Sequence, residues 1–375
     1  MTELGKATAR ARRSLFGRGG LLRSRIRLLR ATGPRYAWRW LRENRDLTSM
    51  HERFREDLYR EIWGEAAGRL SAQVVDLSNG FLEIRRAQAR TRVSQRHVSL
   101  DSALVVLLCS DKVVAQRLLS QAGVPAPDQL EYERDQLEQA LEFMQADSRP
   151  CVVKPTGSRG GEGVITGVRT AAELARASAR AARTSSRLVI ERQLLGDVYR
   201  MLFLDGELLD TVRRRSPRVI GDGHSDIGQL VHAENRRRLE QRGRAGLVAL
   251  RLDWDAIFTL REAGMTPRSV PAPGTPVTVK TVTNQNRIED NETVREGLSE
   301  ELVAEAARAV RVLGVRLAGV DLIAMDPSRS LKEGQGAILE VNAAPGLHHH
   351  YLVADASAAT PVAVPVLERL LGSGG

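Results

Sequence analysis

The sequence reads as an α+β protein, and three features carry that reading. Amphipathic helical stretches end at explicit caps. Short β-branched runs lie between glycine and proline punctuation. An Asp205-Gly206 pair between two apolar runs marks a two-residue hairpin. With 375 residues and 42% hydrophobic content, the chain can form roughly two or three packed units and is too apolar for general disorder.

In chain order, residues 1–45 are basic, with leucine, isoleucine and tryptophan between arginines and few acids before Glu43. They read as a helix pair packed on the body; a transit peptide or a peripheral membrane contact stays open. A polar helix around "MHERFREDLYREIWGEAAGRL" follows, then strand candidates at "AQVVDLS" and "ALVVLLCS". "DKVVAQRLLSQAGVPAP" is an amphipathic helix stopped at Gly123. "RPCVVKPTGSRGGEGVITGV" is strand, glycine-rich turn and strand, after which Thr170 and Glu173 form a capping box for "AAELARASARAA". "RLVIERQLLGDVYRMLFLDGELLDTVRRR" is strand-rich, and "GTPVTVKTVTN" reads as a further strand. "ELVAEAARAVRVLG" is a helix ending at Gly314, before the strands "LAGVDLIAM" and "AILEVNA" and a last helix, "PVAVPVLERLLG".

Charge excludes less than it suggests. The net charge is +10, but the chain carries five lysines against 51 arginines, a bias typical of GC-rich coding. No nucleic-acid module accompanies the charge, so no nucleic-acid partner is expected. No apolar stretch approaches the roughly 18 residues of a membrane span, and the two cysteines point to a reducing cytoplasm.

The chemistry concentrates in a few residues. Gly157, Gly160, Gly161 and Gly163 exceed what an ordinary hairpin needs and suit a turn whose backbone N–H groups cradle phosphate. No Gly-Lys-Ser/Thr follows, and a strand rather than a helix comes next, so this is neither a P-loop nor a dinucleotide fingerprint. Lys154 ends the strand before that loop, and Lys112 opens a helix. Asp321 is a carboxylate inside an apolar strand and needs a cation or donors. In "AILEVNAAPGLHHHY", Glu340 and Asn342 share one strand face. A strand edge running into a Pro345-Gly346 turn would explain them blandly. With Asp321 they make an oxygen set suited to Mg²⁺, Mn²⁺ being admissible. His348, His349 and His350 read as loop residues, since three consecutive side chains cannot all face one ion. Asp222, His224 and Asp226 in "GDGHSDIG" could orient an amine, though such turns are commonly structural.

The ordered set "DKVVAQRLL", "VVKPTGSRGGEGV", "VIERQLLGDVYR", "GVDLI" and "ILEVNAAPG" resembles the ATP-grasp superfamily of carboxylate–amine ligases, most of all the ATP-grasp domain of cyanophycin synthetases and bifunctional glutathione synthetases, over about residues 104–371. The resemblance implies an ATP-grasp fold preceded by a small N-terminal α/β region. Its blocks would be residues 1–45, 46–110, a 111–185 subdomain with the glycine-rich lid and a 186–375 subdomain with the metal site. It further implies that Lys112, Lys154, Gly160, Gly161 and Gly163 meet ATP phosphates. Glu191, Arg192 and Leu194 would lie at the adenine edge, partly through backbone, and Asp197 near the ribose. Asp321, Glu340 and Asn342 would bind Mg²⁺. Arg200 would lie near the transferred phosphate or acyl intermediate, and Lys280 and Asn284 beside the acceptor.

Two departures stand out. Where the subgroup has a serine–glycine turn, this chain has Gln285-Asn286-Arg287, which implies a different acceptor. Neither a Mur-ligase-like nor a glutamate–cysteine ligase domain accompanies the resemblance. The expected activity is ATP- and Mg²⁺-dependent amide formation between a small-molecule carboxylate and an amine, from amino acids or small peptides. The alternatives are a kinase or acid–thiol ligase using the same site, or a non-catalytic nucleotide-binding module with a basic tether. A homo-oligomer also stays open.

Overall fold

A computed structural model describes residues 32, 34–157, 163–241 and 248–372. Gly160, Gly161 and most of the basic segment 1–45 lie outside the described residues. Helix α1 (Pro34–Arg69) is continuous, so the polar helix begins earlier than expected. An antiparallel meander follows: β1 (Gln73–Ser78), β2 (Phe81–Arg86) and β3 (Ala89–Ser94). "ALVVLLCS", expected as a strand, is instead helix α2 (Ala103–Ser110). An apolar run of this length fits either state, and the cap decides: the Ser102 hydroxyl accepts the Val105 N–H at 3.3 Å. Asp111 then caps α3 (Lys112–Gln121), accepting from Val113 and Val114 at 3.1 Å each.

Next come β4 (Gln129–Glu133), α4 (Leu137–Gln145), β5 (Cys151–Pro155), β6 (Ile165–Val168), α5 (Ala171–Ala181) and β7 (Arg187–Arg192). The capping box of Thr170 and Glu173 is present at the start of α5. Strands β8 (Asp197–Leu204) and β9 (Glu207–Arg214) form the expected hairpin, with Asp205 at φ +49° and Gly206 at φ +87°. After β10 (Arg218–Ile220), α6 (Ile227–Glu240) and α7 (Trp254–Glu262), the expected strand near residue 280 is only β11 (Pro276–Thr278), followed by a 3₁₀ turn, Thr283–Gln285. The chain continues through β12 (Asn291–Thr293), α8 (Glu300–Leu313), β13 (Leu317–Ala324), β14 (Ala337–Ala343) and α9 (Ala363–Gly372).

Two compact units emerge, and neither is continuous in sequence. One contains Pro127–Gln193 and Ser216–Arg287; the other contains Ser49–Ala126, Leu194–Arg215 and Ile288–Gly375. The consecutive blocks read from the sequence are therefore interleaved, because β8 and β9 pair with β12 and β13 from far along the chain. In the first unit, the antiparallel sheet β4-β7-β5-β6 buries Val153, Leu188 and Ile190 against Leu141, Leu174 and Phe258. In the second, a five-stranded sheet of order β12-β9-β8-β13-β14 has helices α3 and α8 on one face. Residues 46–110 have no core of their own: Tyr59, Trp63, Leu82 and Ile84 share one with Leu202, Leu317 and Leu367. No helix among the described residues is long and apolar enough to cross a membrane.

Candidate active site

Strand register builds the site in the second unit. Straight across the sheet, Glu340 faces Asp321, Asp321 faces Arg200, and Arg200 faces Val212. One step along, Asn342 faces Gly319, Gly319 faces Leu202, and Leu202 faces Asp210. Side chains alternate along each strand, so these residues share one face. Met201, Phe203, Val320, Leu322 and Val341 line the other, apolar face.

A bulge makes that division possible in β14. Asp321 pairs with Glu340 but Leu322 pairs with Ile338, leaving Leu339 as the extra residue. Strict alternation would put Ile338 on the face of Glu340. The bulge lets Ile338 enter the apolar core while Glu340 and Asn342 turn the other way. Gln116 of α3 secures the irregular backbone, its Nε2 donating to the Ile338 carbonyl at 3.0 Å and the Leu339 carbonyl at 2.7 Å.

The polar groups on this face converge. Arg200 holds Asp321 through both oxygens, Nε–Oδ1 at 2.5 Å and Nη2–Oδ2 at 2.6 Å. Lys112 Nζ lies 3.0 Å from Glu340 Oε2. Asn342 Nδ2 donates to Glu340 Oε1 at 3.0 Å and Asp321 Oδ2 at 3.3 Å. Burial would raise the Glu340 carboxyl, but the Lys112 ammonium and the Asn342 amide outweigh it and hold the group well below the usual carboxylate range. For Asp321, burial together with the adjacent Glu340 pushes the carboxyl up against the pull of Arg200. Arg214, diagonal to Arg200 on this face, is pushed down to about 10 by burial and by Arg200.

The donor chemistry fits a hard divalent cation. Both carboxylates and the Asn342 Oδ1, which has no hydrogen-bond partner among the described residues, are oxygen ligands. Among the described residues no group of three or more His, Cys, Asp and Glu side chains could hold a metal, so a site here depends on the asparagine. Close packing protects the geometry. A Cβ at Gly319 would sit 2.7 Å from the Pro345 Cβ and 3.0 Å from Arg200 Nη1. Gly319→Ala should therefore displace Arg200 from Asp321 and cost about 1–3 kcal/mol in denaturant unfolding, with a loss of any ATP turnover. Wild-type stability in that variant would show the contact to be slack.

The first unit carries the other expected residues. Lys154, next to last in β5, is buried with its ammonium paired with the Glu191 carboxylate, and Gly163 lies beyond it with φ +77°. The Arg192 side chain is committed elsewhere. It donates to the Met144 and Asp147 carbonyls at 3.2 Å and lies 4.5 Å from the Phe143 ring, closing the end of α4. Lys280 is buried and donates to Asp253 Oδ2 at 2.8 Å, while Asn284 sits in the 3₁₀ turn. That turn is pinned by Arg238, fully buried, whose Nη2 donates to the Gln285 carbonyl at 3.1 Å. Leu194 and Asp197 belong to the second unit, and Asp197 lies 3.5 Å from Arg213. Asp226 caps α6, and Asp222 accepts the His224 and Ser225 N–H groups, so both serve the local turn. Sequence reading missed Gln116, Asp210, Arg214, Arg238 and Asp253. Polar residues inside apolar helical or strand runs were the available signal for Gln116 and Asp210.

Residues 111–202 match the family described as Carbamoyl-phosphate synthase L chain, ATP binding domain. Cyanophycin synthetase of Trichormus variabilis is 32% identical over 249 residues, 66% of this chain and 27% of that protein. The fold is that of the ATP-grasp superfamily. The glutathione biosynthesis bifunctional protein GshAB of Mannheimia succiniciproducens is 27% identical over 289 residues, covering 75% of this chain and 38% of the relative. The bifunctional glutathione synthetase structure from Pasteurella multocida superposes with a TM-score of 0.51 at 22% identity, over 80% of this chain and 41% of that one, a likeness of fold. The chain thus spans only about a quarter to two-fifths of the relatives it matches.

Proposed function

We propose that the chain is an ATP- and Mg²⁺-dependent ligase that forms an amide bond between a carboxylate and an amine, on amino acids or small peptides. The observation that carries this reading is the row of Glu340, Asn342, Asp321 and Arg200 on one face of the five-stranded sheet, with Lys112 of α3 reaching Glu340. Asp321, Glu340 and Asn342 would hold the cation, which would supply Lewis-acid neutralisation at the ATP phosphates. Lys112, paired with Glu340, would take phosphate charge. Arg200 would meet the anionic carboxylate or acyl phosphate as it forms. In the other unit Lys154, with Gly163 after it, is the candidate phosphate contact, and Lys280 and Asn284 the candidate acceptor-side residues. No side chain need act as nucleophile: the substrate carboxylate attacks the γ-phosphate, ADP leaves, and the amine then displaces phosphate from the acyl phosphate. The two free cysteines, Cys109 and Cys151, accord with a cytoplasmic setting.

The test is ADP release by the purified chain with Mg²⁺-ATP against pooled amino acids, dipeptides and amines. Release that requires both a carboxylate and an amine is the expected result. Release with carboxylate alone, or with a thiol in place of the amine, would replace this reading with a kinase or an acid–thiol ligase. ATP binding without any turnover would leave a nucleotide-binding module.

A further inference from the structure

His348, His349 and His350 are adjacent in sequence, yet their surroundings set them apart. They form a 3₁₀ turn, Leu347–His350, shortly after Asn342, reached through Ala344 in the left-handed region at φ +57°. His350 is fully buried; its Nδ1 lies 2.5 Å from Asp210 Oδ2, and Thr360 donates to the other Asp210 oxygen at 2.7 Å. His348 is also buried, with its Nδ1 3.1 Å from the Tyr59 hydroxyl and its ring edge-on to that tyrosine at 5.8 Å. His349 alone of the three is part-exposed, and it has no side-chain hydrogen bond among the described residues. Its ring rests on that of His348 at a centroid distance of 4.1 Å.

The turn packs on β9, whose Asp210 holds His350, and Pro345 just before it lies with Arg200 against Gly319. The charges that act most on His349 come from Arg200, Arg214 and the neighbouring histidines. Asp210 faces His350 and is occupied by it, and Tyr59 of α1 faces His348. Burial first, then these neighbours, hold the His349 imidazole well below its usual range. It is therefore neutral at physiological pH, with a nitrogen lone pair available. An anionic acyl phosphate beside Arg200 and Arg214 would offset their charge and raise the proton affinity of the ring at the step that needs it.

We propose that His349, an imidazole without a protein partner beside the Arg200–Asp321–Glu340–Asn342 face, is the general base that receives a proton from the substrate ammonium in the amide-forming step. This inference rests on the ligase reading above. The ammonium gives one proton to His349. Its nitrogen then bonds to the acyl carbon, and the bond from that carbon to the phosphate oxygen breaks with its electron pair on phosphate. The second proton lost by nitrogen goes to the released phosphate, and His349 returns its own to solvent.

Hydroxylamine separates the two ideas, because it is largely unprotonated at neutral pH and attacks acyl phosphates without a base. The full chain with Mg²⁺-ATP and pooled carboxylates is assayed for hydroxamate with hydroxylamine and for amide with amines. His349→Gln and His349→Asn should raise the ratio of hydroxamate to amide formation about 100-fold or more. The acid limb of the amide rate should also disappear in both variants. A parallel fall of the two rates would make His349 a structural or carboxylate-binding residue and overturn the inference, as would an unchanged ratio. Wild-type protein that yields amide but no hydroxamate would also count against it. A wild type that yields neither removes the ligase reading itself, and the inference with it.

Discussion

Glu340→Gln should lower ADP release at least about 100-fold while leaving the fold intact. The substitution keeps the shape of the side chain and removes its charge, leaving Asp321 as the one carboxylate of the proposed cation set. Cation-based stabilisation of transferring phosphate is worth several kcal/mol, and each ~1.4 kcal/mol is a factor of ten in rate. Stability should change little. Glu340 is part-exposed, and its pair with Lys112 has the modest strength of ion pairs that water still reaches, about 1 kcal/mol or less. The variant should also need more Mg²⁺ for half-maximal release. Because Lys112 and Asn342 hold the wild-type carboxyl below the usual range, it stays ionised throughout the pH range of an ordinary assay. The ratio of wild-type to variant rates should therefore not change between about pH 5 and pH 8. A variant with full activity would sink the cation assignment.

Asp321→Asn is expected to strike stability as well as turnover. Arg200 is 7% exposed and its guanidinium is matched bidentately by Asp321, so the variant strands a buried cation. Removing one partner of such a pair costs about 3–5 kcal/mol. Here the lower end is expected, about 3 kcal/mol, because burial and Glu340 already disfavour the Asp321 carboxylate and that strain is relieved. In a protein stabilised by roughly 5–15 kcal/mol the shift in urea midpoint would be large. The double variant Arg200→Met with Asp321→Leu should be more stable than either single change, since an apolar pair of similar volume avoids both desolvation costs. A coupling below about 0.5 kcal/mol in that double-mutant cycle would mean the two side chains do not act as a pair.

Local chemistry explains what could be read without coordinates. The Thr170–Glu173 box, the Gly314 stop at φ +67° and the Asp205-Gly206 turn each depend on hydrogen bonds or dihedral preferences within about four residues, and all three are present. Asp321, Glu340 and Asn342 stood out because charged or amide groups inside apolar strands demand partners, and Lys154 because it is one of five lysines and precedes the glycine-rich loop. Which partners was another matter. Arg200 and Asp321 are separated by 121 positions, and Gln116 reaches the Ile338 carbonyl across 222. The strand or helix state of "ALVVLLCS" turned on one hydroxyl at Ser102, since its apolar pattern suits both. Only the sheet register revealed that Leu339 is bulged, and so how Ile338 and Glu340 come to face opposite ways. The histidine triplet shows the same limit: identical neighbours in sequence are sorted by Asp210 and Tyr59, which belong to other parts of the chain. Caps, turns and the need of a buried charge for company are properties of a few adjacent residues. Register, interleaving of the two units and the choice of ion-pair partner arise when distant segments compete to bury the same apolar faces.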